Sequence, residues 1–373
     1  MQIMNYREKS FIQDVLSNFA VTASPAQFDD AIVIDLAELS GKPDAGFLVY
    51  SMDQPSFIQH ADPDLNPFRF YGRWVAGITC NDVIAMGARC RGFSLALAVP
   101  PETEVSDLES LMNGITDVLD RCGAIYEGGN LDNGNLSTVG CAWGVAPRSG
   151  IVRRSGARVG DVIAVTGELG FGWLEFQLRK HGLSHQIRPD DWQKFRAYKS
   201  MPVGAAAAIA EVAEHGWFTS GMDLSDGLVE FLYTIRQRND LGCIIDYDLL
   251  PVSQTSKENL PLLMKIIDTQ VTAVLIRDPA LIALEPGYDS PLRHAFTLHS
   301  DTVEQARKIF ALHDAELRVI GRVTHEPTVL LRREKTQTEI PEFWDDKLRQ
   351  ESILAAWSSF LKNFSDHSSH WRG

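Results

Sequence analysis

Two stretches decide how this chain is read: Cys80-Asn81-Asp82-Val83-Ile84-Ala85-Met86-Gly87-Ala88 and Asp223-Leu224-Ser225-Asp226-Gly227-Leu228. Each reads as carboxylates on a small-residue turn that leads into an apolar helical segment. Asp and Gly dominate ordinary turns, so either stretch alone is more often surface punctuation than chemistry. Converging carboxylates, however, repel and raise one another's pKa unless a cation sits among them. Mg²⁺ takes oxygen ligands, usually one or two carboxylates together with substrate phosphates. The pair of stretches therefore points to a hard cation and a phosphate, provided that other acids stand at suitable places.

Outward from these stretches the chain alternates strands and helices. An apolar stripe of Phe11, Ile12, Val15, Leu16 and Phe19 predicts a helix over 4–19. Asp29-Asp30 enters a strand that runs to Asp35, and the strand from Gly46 leaves through Asp53. Residues 72–88 read as a helix, 92–99 as a strand, and 105–122 as an amphipathic helix. Glu127 to Gly134 reads as a glycine-rich loop before a strand from Leu136 to Val145. A domain boundary falls near Pro147 to Gly150. Beyond it come a strand at Val162–Thr166, an alanine-rich helix at Ala205–Ala213, and strands at 242–247, 295–299 and 317–321. The expected division is 1–148, 149–330 and a tail, 331–373. In the tail, Ile353, Leu354, Trp357, Phe360, Leu361 and Phe364 line one helical face, which is expected to pack on its own domain.

The chain has 373 residues, too many for one core of ordinary size. Its 45% hydrophobic and 23% charged content is that of a soluble globular enzyme. A net charge of −14 argues against a nucleic-acid partner, whose phosphates demand basic patches. No run of about 18 apolar residues predicts a membrane span, and Met1 to Glu8 lacks a signal-peptide core. Five cysteines at irregular spacing, with no C-x-x-C, read as reduced cytoplasmic thiols rather than a zinc motif.

Four acidic stations stand in order: Asp29/Asp30, Asp53, Asp82 and Asp223/Asp226. With Ser51-Met52-Asp53 and His60, Gly128-Gly129-Asn130, and Arg153-Arg154-Ser155-Gly156-Ala157, they form a succession that resembles a known family of ATP-dependent enzymes. This family includes aminoimidazole ribonucleotide synthetase, selenophosphate synthetase and thiamine-monophosphate kinase, and the kinase branch is the nearest in pattern. The resemblance spans roughly residues 5–330. It implies a two-domain α/β (α+β), PurM-like fold whose N-terminal sheets pair into a barrel in a homodimer. It implies Mg²⁺ held by Asp29, Asp53, Asp82, Asp223 and Asp226, with Asp223 and Asp226 at the catalytic centre. It also implies ATP contacts from Ser51, Gly128, Gly129, Asn130, Arg154 and Ser225, and a contact of His60 with the phosphorylated substrate. No G-x-x-x-x-G-K-[ST] loop is present, so cations take over the work of a phosphate loop.

Three departures from the pattern matter, two among the metal-side oxygens and one on the substrate side. Met52 stands for a threonine, Asn130 for the acid of G-G-D-T, and the kinase's G-G-E-D-Y-E-L stretch has no counterpart, its place being taken by residues 287–296. Losing substrate-side acids while keeping ATP-side acids implies a phosphotransferase whose acceptor is a small molecule other than thiamine monophosphate. Two alternatives share the ATP site. One is a ligase or cyclase that activates an amide or carbonyl oxygen by phosphorylation, and the other is a non-catalytic ATP-binding homologue. The first cysteine, Cys80, and the end His370-Trp371-Arg372-Gly373 speak against the selenophosphate-synthetase and hydrogenase-maturation members, which rely on cysteines elsewhere.

Overall fold

A computed structural model describes residues 29–57, 66–200, 205–265, 269–285, 293–342, 356–362 and 364. The helix expected over 4–19, His60, and residues 287–292 lie outside the described residues.

The first half is built on a five-stranded sheet of order β1-β2-β5-β3-β4. Its strands are β1 (Ile32–Asp35), β2 (Phe47–Asp53), β3 (Arg89–Val99), β4 (Ile125–Asn133) and β5 (Ser137–Ala146). All neighbours pair antiparallel except β3 and β4, which run parallel. A parallel pair needs a crossover, and helix α2 (Val105–Cys122) supplies it. Helix α1 (Pro67–Ala85) lies between β2 and β3 in sequence and packs against α2. The two helices cross closely because Gly72 and Gly114 carry no side chain at the contact. A Cβ on Gly72 would sit 2.0 Å from the Leu111 carbonyl oxygen, and one on Gly114 2.1 Å from that of Arg69. Asp117 of α2 ties the crossing to Arg69 and Arg73 of α1.

The second half holds a seven-stranded sheet of order β12-β11-β8-β10-β6-β9-β7. Its strands are β6 (Val162–Thr166), β7 (Phe218–Asp223), β8 (Gly242–Asp246), β9 (His294–Leu298), β10 (Leu317–Thr324), β11 (Val329–Arg333) and β12 (Thr336–Glu339). Helices α3 (Phe171–Lys180), α4 (Ala206–Glu214), α5 (Leu228–Asn239) and α6 (Val303–Leu312) accompany it. Two hydrophobic cores result. One joins the first sheet, α1 and α2 to α4, α6, Phe296 and Leu298 of the second half. The other gathers α3, α5 and the segment bearing Trp357, Phe360, Leu361 and Phe364. Trp173 and Trp357 meet edge to face at 5.3 Å. The tail's described helix is thus part of the second half's core, and the boundary expected after residue 330 falls inside β11.

Two local expectations need correction. Asn81 and Asp82 do not start a helix; they lie near the end of the 19-residue α1. That helix begins at Pro67, capped by Asn66, because its buried positions continue back through Val75, Ala76 and Tyr71. Glu127 to Asn133 is no loop but part of β4. Its glycines follow from strand packing: the register slips beside Gly128, which has φ 116°, and a Cβ on Gly129 would meet the Leu95 carbonyl oxygen at 1.8 Å.

Candidate active site

The acids of the two halves converge where β2, α1, β7 and the segment before β1 meet. Asp30 is the stitch. Its side chain, 1% exposed, takes the Arg154 guanidinium on Oδ1 and the Asp223 amide on Oδ2 at 3.0 Å. Its neighbour Asp29 turns the other way, accepting from Arg153 Nη1 at 2.8 Å and from the Arg154 amide at 2.9 Å. Asp30 rather than Asp29 therefore reaches the cluster. Ser51, buried in β2, donates to Asp82 Oδ2 at 2.6 Å and fixes that carboxylate from across the helix–sheet interface. Asp53 closes β2, and its charge is felt at Asp82.

From the second half, Asp223 ends β7 and is buried. Ser225 donates to it through both its amide and its hydroxyl, at 3.3 and 3.2 Å, shaping the turn that leads through Asp226 and Gly227 into α5. Gly227 has φ 87°, a conformation that only glycine adopts freely. Asp226 faces Arg154 and Asp223.

The electrostatics are those of a charge cluster wanting a cation. Burial pushes Asp82 well above the ordinary carboxylate range, and Asp53, Asp223 and Asp30 push it further. Burial, then Asp30, lifts Asp223 to about 8 against the pull of Arg154. Asp30 itself is raised, its burial outweighing the guanidinium beside it. The carboxylates stand near enough for Asp53, Asp223 and Asp30 to raise Asp82, although among the described residues no three of their oxygens come within 4.8 Å of one another, and the Arg154 guanidinium pairs with Asp30. This donor set, carboxylates and neutral oxygens without sulfur, fits Mg²⁺.

Two residues not singled out in the sequence belong here. Asn81 is fully buried, donates to Asp223 Oδ2 at 3.5 Å, and leaves its Oδ1 without a hydrogen-bond partner. His294 pairs with Asp223 across β9 and β7 and is buried with both ring nitrogens lacking a well-formed hydrogen bond. Burial drives its pKa down to about 3, with the Asn81 main chain pulling only weakly the other way, so the ring is neutral. Asn81 stands in the stretch that opens the sequence reading but is overshadowed there by Asp82, and His294, a polar residue inside an apolar strand, has no pattern of its own.

Three expected contacts stand elsewhere. Gly128, Gly129 and Asn130 lie on the exposed edge strand β4. In the sheet Asp53 pairs with Gly140, Gly140 with Leu95, and Leu95 with Gly129. Three strand spacings of about 4.8 Å put Gly129 roughly 14 Å from Asp53, so these residues do not join the cluster within one chain. Arg154 is held by Asp30, and Met52 points outward, 60% exposed.

Comparison with known proteins fits this architecture. The model of the AIR synthase related protein N-terminal domain matches residues 28–146, and that of the corresponding C-terminal domain matches 158–332. The thiamine-monophosphate kinase of Halobacterium salinarum is 32% identical over 257 residues, covering 69% of this chain and 77% of that protein. The thiamine-monophosphate kinase of Pyrococcus abyssi is 26% identical over 317 residues, covering 84% and 87%. Among solved structures, AaThiL complexed with AMPPCP and TMP shares the fold, with a TM-score of 0.68 at 19% identity over 89% of this chain and 98% of that one.

Proposed function

We propose that this chain, which belongs to the AIR synthase-related family, transfers a phosphoryl group from ATP to a small molecule with the help of Mg²⁺. It is an enzyme of the thiamine-monophosphate-kinase-like branch. The observation that carries the reading is the approach of acids from both halves: Asp53, Asp223 and Asp30 all raise the buried Asp82, and Asp30 and Asp226 raise Asp223.

Asp82, Asp53, Asp223 and Asp226 would hold the metal, with Asn81 Oδ1 as a neutral oxygen already free of other bonds. When bound, Mg²⁺ neutralises the phosphates and the carboxylates together, which is most of what phosphoryl transfer asks of a protein. The chain's own part is positioning. Ser51 locks the Asp82 rotamer, Ser225 and Asn81 lock Asp223, and Arg154 holds Asp30 in place. Neutral His294 walls the back of the site without adding charge.

The acceptor in this reading is a small molecule other than thiamine monophosphate, on the strength of the missing substrate-side acids. Two copies pair through the open edges of the five-stranded sheet, where Ile125 and Leu131 of β4 stand exposed. Five free cysteines suit a reducing, cytoplasmic setting. The test is ³¹P NMR of ATP, Mg²⁺ and protein with thiamine monophosphate and a panel of metabolites. A new phosphorylated product from an acceptor other than thiamine monophosphate is expected. Inorganic phosphate with a new C–N product would instead make the protein a ligase, and unchanged ATP a non-catalytic homologue.

A further inference from the structure

The cysteines are not the isolated thiols that their spacing in the sequence suggests. Cys80 comes from α1, Cys90 from β3, and Cys122 is the last residue of α2. Their three sulfurs lie within 4.8 Å of one another, and none is in a disulfide. Cys80 and Cys90 are buried, whereas Cys122 is half-buried at the mouth of the group. Their other polar contacts are weak: Cys90 Sγ stands 4.0 Å from the Cys80 carbonyl oxygen, and Cys122 Sγ 3.6 Å from that of Leu119.

A lone buried cysteine is a small apolar filler. Three sulfurs brought together from three elements present a different object. Zinc–sulfur bonds of about 2.3 Å place neighbouring sulfurs roughly 4 Å apart in a trigonal or tetrahedral site, close to the spacing already present. Thiolates are soft ligands that select Cu⁺ and Zn²⁺ and bind Mg²⁺ poorly. The thiolate is the form that binds metal. Donation from the Cys80 and Cys90 thiols lowers Cys122, whereas the same contacts and burial raise Cys80 and Cys90.

We propose that Cys80, Cys90 and Cys122 form a three-thiolate site for a soft, closed-shell cation, Cu⁺ or Zn²⁺, separate from the acid cluster. The buried pair forms the floor of the site, and Cys122 completes it from the surface side. The site needs no residue from the second half.

The experiment uses the full, reduced chain with excess Mg²⁺ to saturate the carboxylates. Cd²⁺ serves as the spectroscopic probe, Cu⁺ is presented from a bicinchoninate buffer, and Zn²⁺ from a chromophoric chelator. One equivalent of Cd²⁺ should give the thiolate-to-metal ultraviolet band and protect three of the five cysteines from a thiol reagent. Either Cu⁺ or Zn²⁺ should displace it, and the tighter of the two identifies the ion. Loss of outer partners of a metal site alone costs about 10–100-fold, so removing a ligand in Cys122→Ser should weaken binding by at least about tenfold. Cys90→Ala should do the same, and Cys141→Ser should change nothing. Circular dichroism separates a lost ligand from a lost fold, and the half-buried Cys122 keeps the test valid if Cys90→Ala does not fold. Capture of neither Cu⁺ nor Zn²⁺, or capture unchanged in a folded Cys122→Ser protein, overturns the proposal.

Discussion

Helix α1 carries two opposite chemistries within three residues: Cys80 turns to a cluster of sulfurs, and Asp82 to a cluster of carboxylates. The acid cluster draws on both halves of the molecule and is full of charge that burial resists. The thiol cluster is confined to the first half and is nearly apolar. A buried carboxylate is an anomaly that must have a partner, whereas a buried cysteine is ordinary. The first kind of site therefore announces itself residue by residue, and the second only when the chain has folded.

The largest expected effect falls on the acids. Asp223→Asn should lower ATP-dependent phosphoryl transfer by about 100-fold or more, as loss of a group that acts on the transition state does. Asp82→Asn should weaken Mg·ATP binding at least about tenfold, or about 1.4 kcal/mol, by calorimetry. Both variants should keep the Cd²⁺ band of the thiols, and loss of that band would mean that the two clusters are not independent. Next comes Arg154→Ala, which strands the buried Asp30. Breaking such a pair by removing one partner costs about 3–5 kcal/mol, measurable by urea unfolding. Arg154→Ala with Asp30→Asn should recover part of the loss, since the uncompensated charge is then gone.

A smaller effect comes from pH. Asp223 has a folded pKa near 8, far above its unfolded value near 3.8, so the native state binds more protons over that window. Metal-free protein should therefore lose stability from this site as pH rises from about 4 to about 8. Added Mg²⁺ should restore a few degrees of melting temperature at pH 8 and little at pH 5, where protons compete for the same oxygens. A melting temperature that rises through this window and ignores Mg²⁺ would deny the cluster its cation. The smallest effect is expected at Asn130. Because β4 lies three strands from Asp53, Asn130→Asp should shift the Mg²⁺ dependence of ATP binding by less than about twofold. A strong tightening would show that a second copy brings β4 against its neighbour's acids.

What the sequence disclosed follows the same division. Helix α2 and strand β6 were legible to the residue, because an amphipathic stripe and a short apolar run each have one natural length. The start of α1 was not, since its first turn depends on the Asn66 cap and Pro67 rather than on a stripe. Strand β7, Phe218-Thr-Ser-Gly-Met-Asp, shows no alternation because it is buried on both faces. Glycines disguised β4 as a loop. In the site, Asp53, Asp82 and Asp223 stood out by charge. The roles of Asp30 and Asp29 were separable only by side-chain direction, and Asn81, His294 and the three thiols only by tertiary contact.

The bond from the Asp223 amide to Asp30 spans 193 positions, while every thiol of the second cluster lies between residues 80 and 122. Contacts so distant along a chain form late, because their loop-closure entropy must be met before they contribute. During synthesis the first half emerges with its sulfurs ready to gather, while Asp30 still waits for Arg154 and Asp223. In refolding, thiol protection should return before nucleotide binding does. For an interval the young chain would have a place for a soft metal and none for ATP.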